Sequence, residues 1–372
     1  MALLHYASRV SAQAVFSCSA KSGLRGIAAF HDFITPSLQS GFHISRSKTI
    51  GNSTGPAGIG PGKVAGLRNS KKSVQSAFGQ DKVTKMQAAI DTRQPRLVEA
   101  EIRAAYLAMF PDADKGYVRT IFQWATDCFE GRYKEYQPID AHYHDMEHTL
   151  QGALCMSRLL WNRHDTNAEP RLTRRLFELG MLAILMHDTG YLKIRGDTEG
   201  TGAKYTLTHV DRSIQFAGEL MLGHDYPVED ILAVQNMIRC TGVNVKLDTI
   251  QFQDELERIV GFSLGTSDLL GQMAAADYVD KLPVLYLEFA EAARYNEGKM
   301  KAGGFFASAD DLMQKTPIFW EKYVQQKLSR EFLGVFQFLS VPYPDGRNSY
   351  IERINANIAR LRRQLAAQAK PA

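Results

Sequence analysis

Two stretches decide the reading of this chain: Tyr143-His144-Asp145-Met146-Glu147-His148-Thr149 and Leu182-Ala183-Ile184-Leu185-Met186-His187-Asp188-Thr189-Gly190-Tyr191. The first carries two histidines four residues apart, which on a helix project from one face. The second is an apolar run that ends in two metal-capable side chains. Arg171 to Met186 reads as a helix whose second half is apolar all round, the mark of a helix buried on every side. Neighbours on a helix point about 100° apart, so His187 and Asp188 cannot both reach solvent from a central helix. A buried carboxylate beside a buried imidazole is costly unless it is paired or bound to a cation. A divalent metal removes that cost, and the two oxygens of Asp188 suit it to bridge two ions. A pair of helix-terminal caps accounts for His148 alone. It does not account for the histidine pair, the dipeptide and the apolar helix together.

Outward from these stretches the pattern is helical. Leu97, Ile102, Tyr106 and Met109 mark a first amphipathic helix, and Tyr117 to Phe129 a second. His148 to Trp161 carries Leu150, Leu154, Leu159 and Leu160 at helical spacing. Thr208 is placed to cap a helix opening at His209, with Asp211 in its first turn. Ile231, Val234 and Ile238 define another helix, followed by Asp254 to Met273, Pro283 to Tyr295 and Ser349 to Gln364. Loops are expected at 190–207, 240–252 and 341–348. Strand signals are almost absent, so the expectation is one all-α domain over residues 86–372.

Residues 1–85 read differently. Gly55-Pro56-Ala57-Gly58-Ile59-Gly60-Pro61-Gly62 supports neither a stable helix nor a central strand. Nine Lys or Arg against the single acid Asp32 in the first 80 residues give this part +8, which leaves −4 on the rest of a chain whose total is +4. The composition suits a disordered tail, upstream sequence ahead of a start near Met86, or an organelle transit peptide. His31-Asp32 lies here without a packed helix around it. The weakly acidic remainder offers no footprint for nucleic acid. No apolar run approaches the roughly 20 residues of a membrane span, and a cytoplasmic location is the expectation, with an organelle the alternative. Cys18, Cys128, Cys155 and Cys240 are scattered without a CxxC pair, which argues against a disulfide scaffold or zinc knuckle.

The order His…His-Asp…Asp resembles the HD-domain metal-dependent phosphohydrolases, in particular the branch related to cyclic-nucleotide phosphodiesterases. Those enzymes carry Tyr-His-Asn-x-x-His, then His-Asp, then a distal Asp. Tyr143-His144-Asp145-Met146-Glu147-His148 is similar to the first piece and His187-Asp188 to the second, and the resemblance spans roughly residues 100–360. It implies an HD/PDEase-like helical bundle with the metal site at its centre. The family's distal pattern, a small residue, Asp and an apolar residue, fits Asp268 in Ser267-Asp268-Leu269. Asp277 is the alternative, but Asp280 and Lys281 follow it as on a solvated face. The resemblance also implies a role for His209 at a second metal or at phosphate, with Asp211 orienting it and Arg212 meeting an anion.

These positions predict a hydrolase of a phosphate ester, most simply a phosphodiester or nucleotide. His148, His187, Asp188 and Asp268 would hold one metal, and Asp188 with His209 a second. Mixed His and carboxylate ligation suits Mn, Fe or Zn at the first site and Mg or Mn at the second. The resemblance makes His144 a proton donor to the leaving oxygen rather than a ligand. A di-iron oxygenase and a non-catalytic nucleotide sensor are the alternatives on the same scaffold, and a protein-binding scaffold is a third that nothing in the sequence requires. The expected partner is a small phosphorylated molecule. Three positions depart from the family: Asp145 replaces Asn, Tyr191 stands where a further histidine is found, and Phe332 takes the place of the base-reading glutamine. His142 is expected in a loop, His164 and His224 in solvated ones, and Lys193 on the surface after a turn.

Overall fold

The computed structural model describes residues 90–243, 245–296 and 306–368. The expectations for residues 1–85, His31-Asp32 included, lie outside the described residues. The described chain is an all-α fold with one small antiparallel hairpin.

Helix α1, Pro95–Met109, opens on a proline, which needs no hydrogen-bond donor at that position, and buries Val98, Ile102, Tyr106 and Met109. Leu97 points the other way and is 45% exposed, so the apolar stripe runs through Val98 instead. Helix α2 is Tyr117–Phe129. Helix α3, Met146–Asp165, starts at Asp145, whose carboxylate accepts the His148 N–H at 2.8 Å. Helix α4, Arg174–Met186, is capped by Thr173, and every residue from Leu179 to Met186 is buried. Helix α5, His209–Leu222, follows Thr208, but that hydroxyl makes no cap bond and donates instead to the Tyr205 carbonyl. Helix α6 is Val228–Arg239. Helix α7, Glu255–Met273, is capped by Asp254 through the Glu257 N–H.

Helix α8, Tyr278–Tyr295, carries Pro283 inside it rather than at its start. Helix α9, Ala309–Ile318, continues into π-helical turns at Phe319–Val324 and Lys327–Glu331. These lie beyond the helices expected from sequence. Strands β1, Ser340–Val341, and β2, Arg347–Asn348, pair Ser340 with Asn348 and Val341 with Arg347. Helix α10, Ser349–Gln368, follows directly. Among the described residues no helix is long and apolar enough to cross a membrane.

Helices α3, α4, α6 and α7 pack on one another at the centre, and the α3–α7 contact is the most extensive. Gly271 sets its closeness. A Cβ built there would fall 2.7 Å from the Gln151 carbonyl carbon and 2.8 Å from the Gly152 nitrogen. The two backbones therefore touch one turn beyond Asp268, which brings that carboxylate across from His148.

Candidate metal centre

Three helix ends and one helix interior converge at the core. His148 sits in the first turn of α3, His187 is the C-cap of α4, and Asp188 follows it. The donor atoms of His148, His187 and Asp188 lie within 4.8 Å of one another, and all three residues are buried. Asp188 Oδ2 is 3.2 Å from His148 Nε2 and 3.1 Å from His187 Nε2. Asp268 projects into the same cluster from α7, its Oδ1 3.3 Å from His148 Nε2 and 3.5 Å from His187 Nε2. Asp277 stands outside, 43% exposed in its side chain and paired with Lys281 at 3.6 Å.

The polar atoms left over show what fits. His187 Nε2 and Asp188 Oδ2 are buried without an aligned hydrogen-bond partner. Such atoms are costly to bury unless a further group satisfies them. His187 Nδ1 donates to the Ile184 carbonyl at 2.7 Å, which leaves Nε2 facing the two carboxylates. His148 Nδ1 has no such carbonyl and is also buried without a partner. Two imidazole nitrogens and two carboxylates around one point form a donor set for a divalent cation, so the residues present fit a metal.

The electrostatics agree. Burial pushes His148 down, but hydrogen bonding to Asp188 and Asp268 outweighs it and lifts His148 to about 9. Burial works the same way on His187, and the Asp188 and Asp268 carboxylates raise it well above the ordinary imidazole value. Burial favours the neutral form of Asp188, yet His187 and His148 hold it well below the usual carboxylate range. Asp268 is lowered likewise against its burial by His148 and His187. Protons on the imidazoles thus neutralise the carboxylates where a cation would otherwise do so.

His209 opens α5, donates through Nδ1 to the Thr206 carbonyl at 2.7 Å, and places Nε2 3.9 Å from Asp188 Oδ1. Burial keeps it below its ordinary value and so neutral near pH 7. The Thr206 carbonyl, not Asp211, sets this ring's orientation. Gly190 fixes its position, since a Cβ there would lie 1.9 Å from the His209 carbonyl oxygen. Arg212 donates to the Gly190 carbonyl at 2.7 Å and to that of Leu192 at 2.6 Å. It secures the turn rather than meeting an anion. Lys193, expected at the surface, is buried against Asp140 at 2.8 Å and the Gly200 carbonyl at 2.6 Å.

His144 lies before the α3 cap and not on the helix, because Asp145 ends the extended segment there. Asp145 spends its carboxylate on that cap and lies 3.6 Å from Lys281. The carboxylate against His144 is Glu288, from α8, with Oε2 2.5 Å from Nδ1. Glu288 Oε1 accepts the Tyr143 N–H at 2.7 Å. Burial raises the Glu288 carboxyl, but His144 and the neighbouring N–H groups outweigh this and hold it below its ordinary value. The His144 ring stacks on Tyr191 with centroids 4.6 Å apart, and Tyr191 stacks in turn on His209 at 4.8 Å. Tyr191 therefore packs against both imidazoles, whose own centroids lie 6.1 Å apart. Phe332 is fully buried and packs beside Phe262, so it is part of the core. His224 is exposed, as expected, and stacks on Trp124 at 4.1 Å, whereas His164 is half-buried and meets Phe110 edge-on. His142 is exposed.

Sequence reasoning found His148, His187 and Asp188 from an unusual apolar context. It did not find Glu288, because an acid in an amphipathic helix carries no local sign of burial. A family model described as Npun_R2479-like matches residues 194–363, a stretch that holds His209, Asp268 and Glu288 but begins after His144, His148, His187 and Asp188. No curated protein and no solved structure matches the chain.

Proposed function

We propose that this chain is a metal-dependent phosphohydrolase of the HD-domain kind, acting on a phosphodiester or nucleotide. The observation that carries this reading is the buried His148, His187 and Asp188 cluster, joined by Asp268, with His144 beside it yet turned toward Glu288. His148, His187, Asp188 and Asp268 would hold one divalent ion, and Asp188 Oδ1 with His209 would serve a second. Such ions lower the pKa of bound water and neutralise charge on phosphoryl oxygens.

The chain's own residues supply the rest. Glu288 holds a proton on His144 Nδ1, which leaves Nε2 to carry a proton to the leaving oxygen. Tyr191 keeps that imidazole stacked and parallel to its own ring. His209, neutral and fixed by Thr206, presents a lone pair toward Asp188. The free, buried Cys128, Cys155 and Cys240 suit a reducing compartment such as the cytoplasm.

The test is metal analysis of the purified protein, followed by assay of phosphomonoester, cyclic and linear phosphodiester and nucleotide substrates with added Mn²⁺. Metal-dependent release of product from one class supports the reading. Bound metal without hydrolysis of any class, accompanied by oxygen consumption, replaces it with the oxygenase alternative.

A further inference from the structure

Asp268 is the less buried of the two central carboxylates, with a side chain 14% exposed against 2% for Asp188. A ligand at the edge of a site needs something to hold its rotamer. Gln272, one turn further along α7, supplies it. Its amide nitrogen donates to Asp268 Oδ1 at 3.2 Å and to the Asp268 carbonyl at 3.1 Å. Both are acceptors only, so the amide nitrogen must face them and its oxygen must face away. That oxygen accepts the Tyr143 hydroxyl at 2.8 Å. Tyr143 is buried, and a phenol that donates at this point locks the amide in the required orientation.

Tyr143 also reaches the other half of the site, since its backbone N–H is bonded to Glu288 Oε1, and Glu288 holds His144. One residue thus joins the two sets of side chains.

We infer that Gln272 and Tyr143 form a positioning pair that fixes the Asp268 carboxylate for cation binding and ties it to the segment carrying His144. This rests on the proposed metal centre and adds to it two residues that touch neither an ion nor a substrate. Partners of this kind typically contribute 10- to 100-fold, roughly, to metal affinity.

The experiment titrates Mn²⁺ into the chelator-treated full chain and its variants by calorimetry. Gln272→Met keeps the length and the helix preference of the side chain but loses all three hydrogen bonds. It is expected to weaken Mn²⁺ binding roughly 10- to 100-fold while the metal-free protein melts close to wild type. Tyr143→Phe keeps the ring and removes one bond, with an expected loss of severalfold. The double variant should bind no more weakly than Gln272→Met, because the two act as a unit. Wild-type Mn²⁺ affinity in Gln272→Met and in Tyr143→Phe overturns the inference. A lowered metal-free melting temperature with unchanged affinity also overturns it, because the role is then structural only. His187→Ala separates this from the underlying reading: if it binds Mn²⁺ as the wild type does, the metal centre itself is wrong, whatever Gln272 does.

Discussion

Asp268→Ala compared with Asp277→Ala puts the geometry of the centre to its sharpest test. Asp268 Oδ1 lies 3.3 and 3.5 Å from the two imidazole nitrogens, whereas Asp277 faces Lys281 at the surface. An ion present at about 1,000 times its dissociation constant stabilises the folded state by about 4 kcal/mol. For a domain of this size, each kcal/mol moves the melting temperature by roughly 2–4 °C, so the wild type should gain about 8–16 °C on adding Mn²⁺ to the chelated protein. Asp268→Ala deletes one of the four ligands of the first site and should lose most of that gain. Asp277→Ala removes only an exposed pair, expected to contribute about 0.5 kcal/mol or less, and should keep the whole gain. Thermal denaturation with and without Mn²⁺ reads both. If Asp277→Ala abolishes the shift and Asp268→Ala preserves it, the choice of distal ligand is wrong. If the wild type shows no shift, the cluster is not a cation site.

Three further outcomes follow from the same geometry. Metal uptake must displace protons held on His148, at about 9 in the metal-free protein, and on His187. Apparent affinity should therefore rise with pH through the neutral range, with roughly one to two protons released per ion. Calorimetry in buffers of different ionisation enthalpy measures this, and an affinity indifferent to pH would exclude both imidazoles as ligands. His144→Ala should leave metal content near normal and lower kcat by roughly 100- to 10,000-fold, with less loss for a p-nitrophenyl ester whose leaving group needs little protonation. Loss of metal equal to that of His148→Ala would make it a ligand instead. Gly271→Ala forces a methyl against the α3 backbone 2.7 Å away. It should destabilise the fold by roughly 1–3 kcal/mol and weaken Mn²⁺ binding, and an unchanged melting temperature would show that the two helices do not meet there.

Much of the helical frame was legible because periodicity reports burial. The bounds expected for α2 and the last residues expected for α4, α7 and α8 agree with the structure. Pro283 misled at the start of α8, since proline is favoured in a first turn and here lies one turn further in. His144 was expected on the helix of His148, but an N-cap Asp between them takes the earlier residue off it. The cluster residues were readable because burying charge is expensive and leaves a visible anomaly in an apolar run. Glu288, Gln272 and the Thr206 carbonyl were not readable. Their roles come from distant segments meeting, and Arg212 and Lys193 show the same limit in reverse, as cations whose partners are main-chain oxygens and, for Lys193, the Asp140 carboxylate.

Those two cations set an order of events on the proposed reading. Arg212 and Lys193 flank the turn that carries Asp188, yet their bonds go to the carbonyls of Gly190, Leu192 and Gly200 and to the Asp140 carboxylate. In the metal-free protein the charges of Asp188 and Asp268 are matched by the protons on His148 and His187, which leaves no uncompensated positive charge to hold an arriving phosphate. An ion that displaces those protons would supply it. The ion is therefore expected to load first and the anion second. Inorganic phosphate should then strengthen Mn²⁺ retention while having no measurable affinity for the chelated chain.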